Sequence, residues 1–360
     1  MVSLQVQDAV RADTSAIELQ SFYISSYGLS TVEEHMQTRL RMVLPDQELL
    51  RLYEQMFLSR EFEERCAEQY AKGHITGFLH LYSGQEAVAV GATAGLHRDD
   101  YILSAYREHA QAIVRGADPR RVMAELFGKA TGICKGKGGS MHLFDPSLNF
   151  MGGYAIVGGQ FPISVGLAFS AKYRGEDRIA ACFFGDGAVN QGTFHESLNW
   201  AQLWQLPVLF ICENNFYGIG TEVHRSSALA SIHKRTCGYD IPSEKVDGMD
   251  VIAVYKAVKY AAEKVRESGR PYFIEATTYR FRGHSMADPA KYRSAAEHDV
   301  WKARDPLPNY ARQLLEEGIA TRAQLDAVEA RCRTTIDESV QFAEESPWPE
   351  DSAVWEDIYV

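Results

Sequence analysis

Three apolar runs of strand length, separated by stretches of helical periodicity, constrain the fold of this chain more than any other feature. The runs span residues 178–184, 208–212 and 272–277, and the stretches 191–204 and 251–267 repeat their apolar residues at helical spacing. Strands that alternate with helices predict a parallel sheet with right-handed crossovers. In such sheets ligands bind beyond the carboxyl ends of the strands, which directs attention to the loops after residues 184, 213 and 278. Upstream, Pro45 and Asp46 open a predicted helix over 46–72, with Leu49, Leu50, Tyr53, Met56, Phe57 and Phe62 on its apolar side and Gly73 just past its end. Short helices are expected through residue 130, followed by a glycine-rich basic loop, 134–142, that no regular element could continue. Residues 307–317 and 321–345 return to helix. The expected organisation is an arm over 1–45, one α/β domain over 46–345 and a tail over 346–360.

Composition removes several functional classes. Lys plus Arg number 37 against 48 Asp plus Glu, a net charge of −11, which disfavours a general nucleic-acid or membrane-surface binder. The six cysteines, Cys66, Cys134, Cys182, Cys212, Cys237 and Cys332, contain no CxxC pair, so neither a disulfide framework nor a zinc site is expected. The longest apolar run, 206–212, is too short to span a membrane. The first residues lack a basic start and a long apolar core, and Asp8, Asp13 and Glu18 interrupt what a transit peptide would keep free of acids. A bacterial-type cytoplasm is the expected compartment, the mitochondrial matrix the less expected one.

The chemistry concentrates in two loops. Gly185-Asp186-Gly187 follows one strand and precedes a helix, a place where glycines let the backbone approach a ligand and a helix start offers free N–H groups. An aspartate there would repel a bare phosphate, and a hard divalent cation such as Mg²⁺ resolves the conflict by taking carboxylate oxygen on one side and phosphate oxygen on the other. The second loop carries Asn214 and Asn215 after the next strand, with 26 residues between Gly187 and Asn214. Adjacent parallel strands would bring Asn215 beside Asp186, giving carboxylate, amide and carbonyl oxygens for one Mg²⁺.

This Gly-Asp-Gly, followed across one helix and one strand by Asn-Asn, resembles the thiamine diphosphate fingerprint. From about residue 46 to 355 the chain resembles the alpha subunit of the first component of pyruvate dehydrogenase, within the thiamine diphosphate-dependent 2-oxo acid dehydrogenase family. The stretches that carry the resemblance are 77–86 (GFLHLYSGQE), 105–109 (AYREH), 136–142 (GKGGSMH), 156–162 (IVGGQFP) and 278–285 (TYRFRGHS). It implies an α/β, thiamine diphosphate-binding fold, a central parallel sheet with helices on both faces. It also implies Asp186, Asn215 and the carbonyl of Tyr217 on Mg²⁺, with Gly187, Ala188, Tyr106 and Arg107 at the diphosphate. The backbone from Ala155 to Val157 would meet the aminopyrimidine, while His80 and His284 would face the reacting end. His142 reads as structural, and the glycine-rich loop as suited to a subunit contact. Phe161 stands where a smaller aliphatic residue is common, which bears on pocket size.

The implied reaction is decarboxylation of a small-molecule 2-oxo acid, then reductive acyl transfer to the lipoyl domain of a dihydrolipoamide acyltransferase. No glutamate suited to the pyrimidine nitrogen is found here. In the family it sits on a separate beta subunit, so the chain is expected to supply half an active site in an α2β2 heterotetramer. The rivals are branched-chain 2-oxo acid and acetoin dehydrogenases and, from another class, a nicotinamide dinucleotide oxidoreductase, which the missing GxGxxG disfavours. Ser285 stands where animal relatives are switched off by phosphorylation, although Ala287 replaces a second modifiable serine, and it reads as a plain loop residue.

Overall fold

The computed structural model describes residues 40–358, so residues 1–39 of the expected arm lie outside the described residues. Helices α1 (Asp46–Ala71) and α2 (Glu86–Gly95) precede β1 (Tyr101–Ala105), α3 (His109–Arg115), α4 (Pro119–Leu126) and β2 (Phe150–Tyr154). Next come α5 (Gln160–Arg174), β3 (Ala180–Gly185), α6 (Gly192–Leu203) and β4 (Val208–Asn214). A small hairpin, β5 (Tyr217–Gly218) and β6 (Thr221–Glu222), and one turn, α7 (Val223–Ser226), lead to β7 (Ser243–Asp247), α8 (Val251–Ser268) and β8 (Tyr272–Thr277). The chain closes with α9 (Ala295–Lys302), α10 (Pro306–Glu316) and α11 (Arg322–Glu345).

Six strands form one sheet in the order β2-β1-β3-β4-β8-β7, and every pairing is parallel. The sheet is buried on both faces, which explains why its central strands read as continuous apolar runs rather than alternating ones. Ala181, Phe183, Leu209, Ile211 and Ile274 point to one side, where α2 and α8 cover them through Val88 and Val254. Ala180, Cys182, Phe184, Phe210 and Phe273 point to the other, against Phe161 and Val165 of α5 and Phe194 and Leu198 of α6. Helices thus lie on both faces, as the fold class expected. α10 and α11 add an outer layer on α1.

The expectation of only short helices between the first helix and residue 130 is corrected, since 101–105 is a strand beside β3. Its five residues include Ser104, buried in the sheet, and neighbouring helical sequence hides so short a run. β2 contains Gly152 and Gly153, which give no strand signal; a Cβ at Gly153 would lie 2.0 Å from the Glu108 carboxylate, so a larger residue would displace that side chain. β7, Ser-Glu-Lys-Val-Asp, is a half-exposed edge strand whose polarity conceals it. The tail packs over the glycine-rich loop: Ala130 donates its N–H to Pro347 at 3.0 Å, and Lys137 pairs with Asp357 at 2.8 Å.

Candidate active site

Six matched pairs, from Ala180↔Val208 to Gly185↔Glu213, align β3 and β4, so their following loops leave the sheet side by side. Asp186 opens a 3-10 turn over Asp186–Asn190 before α6, and Asn215 follows β4 directly. A cavity of about 340 Å³ lies between these loops, and Tyr106, Arg107, Val157, Asp186, Gly187, Ala188, Asn215 and Tyr217 line it. Four separate loops, after β1, β2, β3 and β4, are therefore brought to one place.

Asp186 is buried, and burial pushes its carboxyl up to about 6 although Arg280 pulls the other way. Asn214 locks the turn: its Nδ2 donates to Glu275 at 2.7 Å and its Oδ1 accepts the Phe216 N–H at 3.1 Å. Asn215 donates Nδ2 to Gln85 at 2.9 Å, which leaves its Oδ1 turned towards the Tyr217 N–H at 3.4 Å. The loop pays for this shape in backbone strain, with Phe216 at φ +69° and Ile219 at φ +57°. Gly187 and Gly218 pass so closely that a Cβ on Gly187 would lie 3.4 Å from the Gly218 Cα.

The donor set suits the groups the sequence implies. Carboxylate, amide and carbonyl oxygens on neighbouring loops match a hard divalent cation. Gln85 Nε2 and Gln160 Oε1 are buried without partners and belong to residues lining the cavity, so polar atoms there await a ligand. Arg107 adds a buried guanidinium, lowered to about 10 by burial and then by Arg280.

At the side of this cavity three rings meet. His80 lies 4.6 Å from Tyr106 and 5.0 Å from His284, and Tyr106 lies 5.6 Å from His284, between ring centroids. Neither histidine lines the cavity itself, and both touch it through Tyr106 and Arg107. Arg107 donates to the Leu81 carbonyl at 2.9 Å, to the His284 carbonyl, and to His284 Nδ1 at 3.2 Å. Arginine only donates, so His284 Nδ1 is the acceptor and its ring proton sits on Nε2. Burial first, then Arg107, lowers both His80 and His284 to about 3, so both rings are neutral at neutral pH. Asp288 fixes the His284 backbone by accepting its N–H at 2.6 Å, and hydrogen bonds from Tyr292, His284 and Ala290 hold its carboxyl at about 2 against the opposing effect of burial.

The family model described as dehydrogenase E1 component matches residues 54–352. The chain belongs to the dehydrogenase E1 component family. It is 46% identical over 313 residues to the pyruvate dehydrogenase E1 component subunit alpha of Porphyra purpurea, covering 85% of this chain and 91% of that one. The same subunit of Rickettsia bellii is 46% identical over 314 residues, covering 87% and 96%. A chloroplastic subunit alpha-3 of Oryza sativa is 43% identical over 322 residues, covering 87% and 76%.

Several details of this E1 component chain differ from what its sequence suggested. Arg280, seen in the sequence only as a neighbour of His284, is buried and lines the cavity, where it donates to the carbonyls of Tyr217 at 3.5 Å and Ile219 at 3.3 Å. Its position one turn of loop beyond β8 was the available signal. Ala155 does not line the cavity, although Val157 does. Phe161 is fully buried among Phe184, Phe194 and Phe210 behind the sheet, so it fills the core rather than the pocket. The glycine-rich loop wraps the buried carboxylate of Glu125, which accepts the N–H groups of Cys134, Gly136, Gly138 and Gly139. His142 reaches only the Gly153 carbonyl, at 3.3 Å.

Proposed function

We propose that this chain is the alpha subunit of the decarboxylating, thiamine diphosphate-dependent component of a pyruvate dehydrogenase complex, and that it works with a beta subunit as an α2β2 heterotetramer. The observation that carries the reading is the placement of Asp186 and Asn215 at adjacent strand ends in one cavity with Arg107. Asp186, Asn215 and the Tyr217 carbonyl would hold Mg²⁺, and Arg107, Tyr106, Gly187 and Ala188 would receive the diphosphate. When bound, thiamine diphosphate supplies the carbanion and the electron sink that decarboxylation of a 2-oxo acid requires. His80 and His284, neutral and shielded, can hold or pass a proton at ring nitrogen without carrying charge at neutral pH. Acyl transfer to a lipoyl domain then completes the proposed sequence.

An uncovered apolar face supports the partner. Ile163, Phe169 and Tyr173 of α5 and Trp200 and Leu203 of α6, with Trp204, are large and exposed, and they continue from Ile156 and Val157 beside the cavity. Monomeric chains rarely leave so many aromatic side chains bare in one place. The purified chain alone is expected to show no 2-oxo acid decarboxylation with an artificial electron acceptor, and co-expression with the beta subunit is expected to restore it. Full activity from the chain alone would overturn the heterotetramer. Among the described residues no helix is long and apolar enough to cross a membrane, and the six unpaired cysteines fit a reducing cytoplasm of bacterial type.

The loop after β8 offers a second test. Ser285 is half-buried next to His284, and its carbonyl accepts the Asp288 N–H at 3.0 Å. Ser285→Glu brings a second carboxylate to the loop that Asp288 organises, so turnover by the complete complex should fall about tenfold or more. Ser285→Ala should stay within about twofold, since no hydrogen bond of the Ser285 hydroxyl is among those holding the loop. Normal turnover of the glutamate variant with a lipoyl domain as acceptor would remove this loop, and His284 with it, from the active-site entrance.

A further inference from the structure

Arg60, Glu63 and Glu64 of α1 stand at the spacing that places side chains on one helix face. Each grips a different segment next to the three-ring cluster. Arg60 binds Glu86 through Nε at 2.5 Å and Nη2 at 2.8 Å, and Asp305 through both Nη atoms at 3.2 Å. Glu86 in turn accepts the Gly84 N–H at 3.0 Å. The Arg60 guanidinium also lies 5.2 Å over the Phe281 ring, which Lys302 approaches to 4.2 Å. Glu63 holds His109 Nδ1 at 3.1 Å, three residues from Tyr106, and His109 Nε2 reaches Ser140 Oγ at 2.9 Å. Glu64 accepts from Ser83 Oγ at 3.1 Å and pairs with Arg282, two residues from His284.

The gripped segments are themselves laced together. Phe281 donates its N–H to the Ser83 carbonyl at 2.9 Å, and Met286 donates to the Leu79 carbonyl at 3.0 Å, so His80 and His284 lie between two backbone bonds. Arg60 is mostly buried, and Glu63, Glu86 and Asp305 are buried. Buried ion pairs contribute little net stability compared with apolar packing, so a network this extensive is not accounted for by stability alone.

We propose that Arg60, Glu63 and Glu64 are positioning residues that set the mutual placement of His80, Tyr106 and His284. The inference rests on the reading of those rings as the reacting end of the site. It separates two properties: the α1 face governs ring placement, whereas the Asp186 and Asn215 loops govern cofactor affinity.

The test uses the complex with its beta subunit and the variants Arg60→Lys, Glu63→Gln and Glu64→Gln, with Glu61→Gln, whose carboxylate faces Arg333 at 3.7 Å, as the control on the same helix. Turnover at saturating Mg²⁺ and thiamine diphosphate should fall about tenfold or more in Arg60→Lys and Glu63→Gln, because misplacement by a fraction of an ångström is costly in rate. Thiamine diphosphate affinity should stay within about threefold, melting should stay near that of the parent in Arg60→Lys and Glu64→Gln and fall in Glu63→Gln, which removes one partner of the buried Glu63–His109 pair, and trypsin should cut faster after Arg282 and Lys291. Glu61→Gln should change none of these. Should Arg60→Lys fail to fold, Glu64→Gln, at a half-exposed site, carries the same expectation of faster cleavage and lower turnover. Parent-like turnover and cleavage in the variants, or affinity lost in step with turnover, would overturn the proposal. A parent complex that binds no thiamine diphosphate would instead overturn the reading of the site, and tryptic cleavage of the parent and variant complexes without cofactor would still decide whether the α1 face holds the segments around His80 and His284.

Discussion

Asp186→Asn is expected to lower Mg²⁺-dependent thiamine diphosphate affinity by at least about a hundredfold, since even groups one step removed from a metal cost 10- to 100-fold when lost. The same variant should leave the ligand-free chain as stable as the parent, or more so, at pH 7 to 8. Burial raises the Asp186 carboxyl to about 6. A carboxyl whose folded value lies above its unfolded one contributes stability below the unfolded value and loses it as pH rises through the folded value. At neutral pH its charge therefore opposes folding, and a neutral amide of the same shape removes that cost. Isothermal titration with the cofactor and Mg²⁺, beside thermal melting without either, checks both halves. Unchanged affinity would remove Asp186 from the metal site, and loss of affinity accompanied by loss of fold would make it structural.

Glu125→Ala should destabilise the chain by about 3–5 kcal/mol, since each neutral backbone N–H left without its acceptor away from water costs about 1–3 kcal/mol. Its two carboxylate oxygens accept four backbone N–H groups at 2.7 to 3.1 Å, and the residue is fully buried. Removing the carboxylate strands all four donors. The glycines are what permit this path, because a Cβ at Gly136 would meet the Gly128 carbonyl at 2.7 Å and one at Gly138 the His142 carbonyl at 2.5 Å. Glu125→Gln should fall between, since its amide nitrogen would face N–H groups instead of accepting from them. Urea denaturation of the three proteins measures this. A Glu125→Ala protein within about 1 kcal/mol of the parent would show that the loop is held by something else. The glycine-rich loop of 134–142 thus owes its path to a carboxylate of the same chain.

The parts of the fold legible beforehand are those whose signal is local. β3, β4 and β8 announced themselves because strands covered on both faces are apolar along their run, and α8 because its apolar residues recur at helical spacing over 18 residues. β1 and β2 gave no such signal. Ser104 interrupts the apolar run of β1 and two glycines lie in β2, where a Cβ at Gly153 would press on the side chain of Glu108, 45 positions away in the chain. Phe161 was misplaced for a related reason: its sequence neighbours Val157 and Gly158 line the cavity, but as the second residue of α5 it turns inward to the aromatic core.

For the candidate site the division runs along the same line. Gly185-Asp186-Gly187 and Asn214-Asn215 are short motifs whose chemistry is carried by residue type, and once the strands before them are recognised as neighbours in a parallel sheet their meeting follows from strand geometry. The sequence by itself therefore determined the α/β class, the dehydrogenase E1 component family and the two loops for which a cation and a diphosphate are proposed. Only the tertiary structure decided that Arg280 enters the cavity, that His80 and His284 come within 5.0 Å of each other, and that Arg60, Glu63 and Glu64 back the ring cluster from a helix far upstream. Those contacts join residues separated by tens to hundreds of positions, and their energy depends on burial and direction, which no local pattern of side chains records.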